Sequence, residues 1–301
     1  MRYHGLKKET EDRDFLSLLS NCRLCPWECG VDRLNGELGR CRAGSTLKIA
    51  AHTIHTGEEP PISGKNGSGT VFFSHCNSFC IYCQNYPISQ LGYGKKYSAD
   101  DFIRIILNLQ ERGAHNINLV TPVPYTPLIK PSIIRARSLG LKIPVLMNLF
   151  GWETEAFAEL TLDFVDVYLV DIRYSNNVTA ERYSGVQDYT GVNERFLKKI
   201  YKLNPRTEFN EDGEIKSGII IRHLVMPGLA DESVECLNLL NNWFGNDVYL
   251  SLMNQYFPAY RSSEFPELNR KITEEEWEKV LNRLEVLGFK NGWIQEFHED
   301  Y

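Results

Sequence analysis

Three cysteines within eight residues place the strongest constraint on this chain. Cys76, Cys80 and Cys83 follow directly after the apolar run Thr70–Ser74. Such a run indicates a buried strand that carries a loop to the edge of a sheet. Three close thiolates suit a soft metal centre, and they would leave one iron of a four-iron cluster without a protein ligand. Zinc is the alternative, but it needs a fourth ligand, and His75 is cramped beside Cys76.

The spacing Cys-x3-Cys-x2-Cys, with Tyr82 before the last cysteine, is identified as the signature of the radical S-adenosylmethionine (SAM) superfamily. The resemblance implies a [4Fe-4S] cluster bound by Cys76, Cys80 and Cys83, whose remaining iron chelates the amino and carboxylate groups of SAM. It also implies that the reduced cluster cleaves SAM to methionine and a 5′-deoxyadenosyl radical, which abstracts a hydrogen atom from a substrate.

A second group of cysteines precedes the first. Cys22, Cys25, Cys29 and Cys41 lie within twenty residues, with Gly36 and Gly39 in the gap before the last cysteine. Four thiolates serve a tetrahedral zinc site or a second iron–sulfur cluster equally well, and their spacing does not decide between them. Free thiols in a small lobe are the remaining alternative. Outside an oxidising compartment, such clustering favours metal binding over disulfides.

The composition is that of a globular enzyme. The apolar fraction of 43% supports a substantial core, and the charged fraction of 24% is ordinary. The net charge of −6 offers no basic patch and does not favour a nucleic-acid substrate. No apolar run approaches the roughly 20 residues that span a bilayer, and the N-terminus lacks a hydrophobic signal region. We therefore expect a cytoplasmic protein without a membrane partner.

From residue 70 onward, apolar runs alternate with amphipathic segments, which predicts repeated strand–helix units and a parallel sheet. The predicted strands begin at Thr70, Asn116, Ile143, Phe164, Gly218 and Val248. Six strands are too few for a closed eight-stranded barrel. The predicted fold is therefore α/β, a six-stranded parallel partial (β/α)6 barrel, which the family resemblance also implies. The predicted divisions are a Cys-rich N-terminal metal-binding lobe at 1–69, the barrel at 70–258, and a short C-terminal extension of a helix and a strand at 259–301.

Polar side chains stand at or near the ends of several predicted strands. They are Asn148, Asp171, Arg173, Arg222 and Gln255. Ligands of open parallel sheets bind outside the carboxyl ends of the strands, and a polar side chain at the end of an apolar run is costly unless it is paired or solvated. Singly, each could make a structural hydrogen bond or ion pair; together on one rim they indicate a ligand site.

Several segments resemble pyruvate formate-lyase activating enzymes and their poorly characterised relatives, over roughly residues 20 to 258. They are Ile219–Gly228, Val170–Arg173, Glu58–Pro60, Cys83–Asn85 and Gln255–Pro258. The similarity implies that Tyr82 contacts the adenine of SAM. It also implies that Asn148, Asp171, Arg173 and Arg222 hold its ribose and methionine parts. Gln255, on the same rim, is taken with these cofactor-binding residues. Arg173 replaces a lysine of the activases, which keeps the charge and changes the geometry.

The function implied is that of a radical SAM oxidoreductase resembling the activases of glycyl-radical enzymes. Its substrate would be a glycine backbone of a partner protein, and its electrons would come from a reductant such as flavodoxin or ferredoxin. Beyond the cluster, no catalytic residue is assigned. Radical modification of a peptide or small metabolite is an alternative. A non-catalytic metal or electron-transfer protein is a second, against which the polar strand ends argue, because an electron carrier needs no pocket for an organic cofactor.

Overall fold

The computed structural model describes residues 15–297. The strands are β1 (Leu47–His55), β2 (Ser68–Phe73), β3 (Lys95–Tyr97), β4 (Ile117–Val120), β5 (Val145–Leu149), β6 (Val167–Asp171), β7 (Glu208–Phe209), β8 (Ile215–Leu224), β9 (Tyr249–Met253) and β10 (Asn291–Ile294). The α-helices are α1 (Pro60–Ser63), α2 (Tyr86–Ser89), α3 (Ala99–Glu111), α4 (Thr126–Ser138), α5 (Glu155–Thr161), α6 (Asn177–Ser184), α7 (Tyr189–Leu203), α8 (Ala230–Phe244) and α9 (Glu274–Leu287).

Most of the strands form one largely parallel sheet. Its order is β10–β9–β8–β6–β5–β4–β2–β1–β3, and β7 pairs with β8 beside this path. The six predicted strands correspond to β2, β4, β5, β6, β8 and β9, which pair in parallel in chain order. β10 comes from the segment predicted as the C-terminal extension, and it adds a further parallel strand to β9. The architecture is an α/β fold with a mostly parallel central sheet, compatible with a partial barrel.

The strands bury two different faces, as their two-residue period requires. On β6, Tyr168 and Val170 belong to the large core between sheet and helices. The alternate residues Val167 and Leu169 belong to a smaller core on the opposite face. Asp171 continues the second series at the carboxyl end of β6. The same alternation leads to Asn148 on β5 and to Arg222 on β8, so these three residues lie on one face of the sheet.

The helices begin and end at residues suited to those positions. Ser98 starts α3 with a capping box, in which its side chain accepts from the backbone N–H of Asp101 and the Asp101 carboxylate accepts in return. Thr273 and Glu276 form the same arrangement at the start of α9, which ends at Gly288 in the left-handed conformation. Among residues 15–297, no helix combines the length and apolar character needed to cross a lipid bilayer.

The segment before β2 contributes a strand to the sheet and a buried side chain to the smaller core. β1 pairs antiparallel with β2 and with β3 at one edge of the sheet. The short helix α1 places Ile62, which is fully buried, in the smaller core with Leu146 and Ile220. Glu58 and Glu59 directly precede this helix. The predicted division of the chain at 69 and 70 stays a prediction; residues on both sides of it pack together here.

Candidate active site

A cavity of about 240 Å³ lies at the carboxyl ends of the parallel strands. All the residues predicted for the cluster and for SAM line it: Cys76, Cys80, Cys83, Tyr82, Asn148, Asp171, Arg173, Arg222 and Gln255. They come from the loop after β2 and from the ends of β5, β6, β8 and β9. The fold thus brings together residues that are up to about 180 positions apart in the sequence, as expected where parallel strands end at one edge.

The three thiols of the loop are held by serine hydroxyls. Cys76 Sγ lies 3.2 Å from Ser78 Oγ, and Cys83 Sγ lies 3.1 Å from Ser89 Oγ. Ser184 Oγ donates to Cys80 Sγ at 3.0 Å. Burial raises the pKa of Cys76 to about 12 and of Cys83 to about 11, and it raises the pKa of Cys80 as well. Metal coordination is what would make thiolates of such groups.

Arg173 and Asp171 form a buried ion pair in the cavity wall. Nη2 of Arg173 donates to Oδ2 of Asp171, and the two side chains are only 9% and 14% exposed. Nε and Nη1 of Arg173 are buried and have no partner. A guanidinium cannot lose its charge in a protein, and buried donors without acceptors are costly. The cavity therefore offers free, positively charged donors that fit an anionic group such as the carboxylate of SAM.

Arg222 is held differently, by two carboxylates from the segment before α1. Its Nε donates to Oε1 of Glu59 at 2.7 Å, its Nη2 donates to Oε2 of Glu59 at 2.5 Å, and Nη2 also donates to Glu58. Asn118 donates to the other oxygen of Glu58 at 3.0 Å. Burial raises the pKa of Glu59, but the charge and hydrogen bonds of Arg222 outweigh it and leave that pKa lowered. The guanidinium predicted to touch SAM is thus already paired.

The Glu58–Glu59 pair is a feature that the residue patterns alone did not assign. It entered the sequence analysis only through the Glu-Glu-Pro resemblance, since nothing local links it to Arg222 far along the chain. The one available signal was two consecutive carboxylates before a Pro-Pro pair.

Tyr82 lines the cavity and belongs to a network of buried tyrosines. Tyr82 is buried, its hydroxyl lies 2.6 Å from that of Tyr174, and its ring centroid lies 6.1 Å from that of Tyr256. Tyr174 in turn contacts Ser184 Oγ at 2.7 Å. The hydroxyl of Tyr189 accepts from the backbone N–H of Arg173 at 2.8 Å. The network fixes the positions of Tyr82 and of the strand end that carries Arg173.

Gly151 allows the turn after β5 to approach the end of β6. It has a φ of +81°, and a Cβ there would lie 2.0 Å from the backbone oxygen of Asp171. Asn193 bridges the two segments, because its Nδ2 donates to the backbone oxygens of Gly151 at 2.7 Å and of Asp171 at 3.0 Å. This contact sets the distance between the strand ends that carry Asn148 and Asp171.

A buried carboxyl lies behind the three-cysteine loop. Glu153 is 1% exposed, and neither side-chain oxygen makes a hydrogen bond of good geometry, although Asn77 lies close enough to lower its pKa in part. Burial raises its pKa to about 8, so the neutral acid is the form present at pH 7. No sequence pattern distinguished this glutamate from an ordinary surface residue at the start of a helix.

Gln255 connects the cavity to a larger one. Both Gln84 and Gln255 also line an open cavity of about 1030 Å³. Its other lining residues include Tyr256, Phe257, Lys271 and Phe297. Nε2 of Gln84 donates to the backbone oxygen of Gln255 at 3.1 Å. Asn148, by contrast, is half-buried and lines only the first of these two cavities.

The four N-terminal cysteines are free and half-buried. Cys22, Cys29 and Cys41 lie close enough to Cys25 for their charges to raise its pKa, an effect that follows the larger contribution of burial. Within residues 15–297, no three or more Cys, His, Asp or Glu side chains surround a single metal-ion position. The three-cysteine group gives the same result. A cubane cluster does not need its ligands around one position, because each of its thiolates binds a different iron. A second metal site therefore stays a prediction.

No protein-family model matches the chain. It is 32% identical to an uncharacterised protein of Methanocaldococcus jannaschii over 278 residues, which are 89% of this chain and 75% of that protein. It is 28% identical to a lipoyl synthase of Pyrobaculum calidifontis over 157 residues, 52% of this chain and about half (49%) of the synthase. Its fold is similar to that of a spore photoproduct lyase mutant, with a TM-score of 0.53, 12% identity, and coverage of 82% of this chain and 79% of the lyase.

Proposed function

The chain belongs to the radical S-adenosylmethionine superfamily, and we propose that it uses SAM to abstract a hydrogen atom from its substrate. One observation carries the proposal. Three buried or half-buried thiols line the same cavity as Arg173, which has two unpaired donors, at the carboxyl ends of the parallel strands. A site for metal alone would not need the second feature.

The residues present fit the two groups that this chemistry requires. Cys76, Cys80 and Cys83 would hold a [4Fe-4S] cluster, and three thiols leave one iron for SAM. When bound and reduced, the cluster and SAM together supply the 5′-deoxyadenosyl radical that attacks the substrate. The serines beside the sulfur atoms would donate hydrogen bonds to thiolates, which tune the reduction potential of such clusters.

The chain's own residues would bind and orient SAM. Nε and Nη1 of Arg173 are free to donate to its carboxylate, while Asp171 holds the guanidinium in place. Tyr82 offers an aromatic face for adenine. Asn148 is half-buried, and within residues 15–297 its side-chain amide makes no hydrogen bond that would compete with SAM. Arg222 would act mainly through Glu58 and Glu59, forming a rigid polar floor for the cavity.

The substrate that we propose is a glycine residue of a partner protein, as in the activases that the chain resembles. The open cavity of about 1030 Å³ beside the cysteine cavity supports this, since it has room for a polypeptide loop. The same opening would admit a shorter peptide or a small metabolite, which is the alternative. The reductant, such as flavodoxin or ferredoxin, and the cytoplasmic location stay predictions.

SAM cleavage is the first experiment. The protein is purified without oxygen, reduced, mixed with SAM and assayed for 5′-deoxyadenosine. Cys80→Ala should abolish the product, because the cluster loses a ligand. Cys236→Ala is the matched control, since Cys236 is buried in the core between sheet and helices and does not line the cavity. Product formation by Cys80→Ala at the rate of the unmodified protein would overturn the assignment.

The substrate class needs a separate measurement. Candidate glycyl-radical proteins encoded by the same organism are added to the reduced protein with SAM, and electron paramagnetic resonance is recorded. A glycyl radical signal that depends on Cys80 supports activation of a partner protein. Cleavage of SAM that is stimulated only by peptides or metabolites, with no such signal, favours the alternative.

A further inference from the structure

The four-cysteine segment folds back on itself through its backbone. The N–H of Cys22 donates to the backbone oxygen of Val31, and the N–H of Gly30 donates to that of Cys22, both at 3.0 Å. The N–H of Arg40 donates to Sγ of Cys29 at 3.4 Å. A Cβ at Gly39 would lie 2.9 Å from that sulfur. The chain thus returns close to Cys29, and a larger residue at position 39 would require the Cys29 side chain to shift.

A buried arginine faces this group without a carboxylate partner. Arg33 is 1% exposed. Its Nη1 donates to Sγ of Cys22 at 3.7 Å and its Nη2 to the backbone oxygen of Gly44 at 2.5 Å, while its Nε has no partner. Within residues 15–297, Arg33 forms no ion pair with a carboxylate, and Arg42 and Lys48 line the same cavity as Arg33. A buried charge needs an opposite charge or good hydrogen bonds, and the side-chain atom that the guanidinium contacts is Sγ of Cys22.

We propose that Cys22, Cys25, Cys29 and Cys41 bind a metal centre through four thiolates, and that Arg33 stabilises its negative charge. Four thiolates around one Zn²⁺, or around a [4Fe-4S]²⁺ cluster, carry the same net charge of about −2. The buried guanidinium is complementary to either centre, whereas four neutral thiols leave it uncompensated. Within residues 15–297 no three of these sulfur atoms surround one metal-ion position, so binding of a single Zn²⁺ would require them to move closer together.

The same segment contacts the three-cysteine loop through one side chain. Trp27, between Cys25 and Cys29, donates from its indole nitrogen to the backbone oxygen of Asn77 at 2.7 Å. Its ring centroid lies 5.9 Å from that of Phe79, and the guanidinium of Arg40 lies 4.0 Å from its ring. Asn77 and Phe79 are both within the Cys76–Cys83 loop. The metal centre would therefore brace this loop, a role that rests on the proposed function.

The experiment removes the three-cysteine site, so that any metal still bound belongs to the four-cysteine site. A full-length variant with Cys76→Ala, Cys80→Ala and Cys83→Ala is purified without oxygen, and zinc, iron and sulfide are measured per chain. We expect about one zinc, or about four irons with sulfide, at the remaining site. Adding Cys41→Ser should lower that content. A metal-free triple variant whose four N-terminal thiols all react with a thiol reagent would overturn the proposal, whether or not the unmodified protein cleaves SAM.

The role of Arg33 is tested by metal release to a chelator from the triple variant. Arg33→Met should release metal at least about tenfold faster, and Arg33→Lys should recover part of the difference because it restores the charge. Arg23→Met is the matched control: Arg23 is adjacent to Cys22, but its side chain is 62% exposed and pairs with Glu28 at 3.8 Å. Equal release by Arg33→Met and Arg23→Met would contradict the charge role.

Trp27→Phe tests the brace in a chain with all cysteines present. The N-terminal metal should remain, while the iron content or the resonance spectrum of the other cluster should change. Trp243→Phe is the control, because Trp243 packs beside Phe244 on α8, away from both cysteine groups. An unchanged spectrum in Trp27→Phe would show that the contact does not position the loop.

Discussion

The guanidinium of Arg222 and the carboxylate of Glu59 form two hydrogen bonds, from Nε at 2.7 Å and from Nη2 at 2.5 Å. They are 163 positions apart in the sequence. Because Glu58 binds the same guanidinium, a strand of the parallel sheet is held to the segment that precedes it. The ion pairs of Arg222 should therefore contribute to the stability of the fold as well as to the shape of the cavity.

Arg222→Met should destabilise the protein by about 3–5 kcal/mol, because it leaves two buried carboxylates without a cation. Free energies of unfolding in urea measure the effect. Arg135→Met is the matched control, since the Arg135–Asp100 pair is about half exposed (49% and 59%) and should contribute less than about 1 kcal/mol. Equal losses in the two variants would mean that the buried group is no stronger than a surface pair.

Glu153→Gln should change how stability depends on pH. The pKa of Glu153 is raised from 4.5 to about 8 in the folded protein, so the unfolded chain releases this proton first as pH rises. The folded state therefore loses stability between about pH 4.5 and 8, by up to about 1.4 kcal/mol per pH unit. Glutamine keeps the shape and removes the titration. Urea unfolding at pH 5 and pH 8 should show the variant gaining most at pH 8, and an equal difference at both values would contradict the prediction.

Arg173→Met should weaken SAM binding roughly tenfold to a hundredfold, the effect of losing a charged hydrogen bond. Anaerobic equilibrium dialysis with SAM gives the dissociation constant. The dissociation constant of Arg173→Lys should lie between those of the unmodified protein and Arg173→Met, because lysine keeps the charge but lacks the several donors of the guanidinium. Arg104→Met, at a side chain that is 73% exposed on α3, should bind SAM normally. Normal binding by Arg173→Met as well would remove Arg173 from the site.

Gly151→Ala should destabilise the protein by more than about 4 kcal/mol, the range reached by severe steric changes. Its Cβ would overlap the backbone oxygen of Asp171. Gly213→Ala is the control, since Gly213 has nearly the same φ of +80° but no atom within 4 Å of an added Cβ. It should lose only the conformational cost of about 1–2 kcal/mol. Similar thermal unfolding of the two variants would show that the close contact relaxes easily.

The sequence was informative wherever an apolar run or a local motif was present. The continuous apolar run at β6 predicted a buried strand, and Asp171 was predicted as a polar residue at its end. Cys76, Cys80 and Cys83 were recognisable because successive cysteines lie four and then three positions apart. These features depend on neighbours in the chain, which a sequence displays directly.

Contacts between distant segments could not be predicted in this way. The contacts of Glu59 with Arg222 and of Trp27 with Asn77 join residues that are brought together only by the folded sheet. β1 was missed because its central residues are exposed on an edge, so its apolar residues do not alternate regularly. The burial of Arg33 and Glu153 was equally hidden, because neither residue type is ordinarily found in a core.

The two outer strands of the sheet limit how another protein could approach it. β3 has only three residues, including the exposed Lys95 and Lys96, and β10 has only four. Short edges and edge lysines discourage pairing with a foreign strand, so recognition by strand addition is disfavoured at either edge. A polypeptide substrate would have to enter end-on at the open rim, as a flexible loop whose backbone stays free of ladder hydrogen bonds.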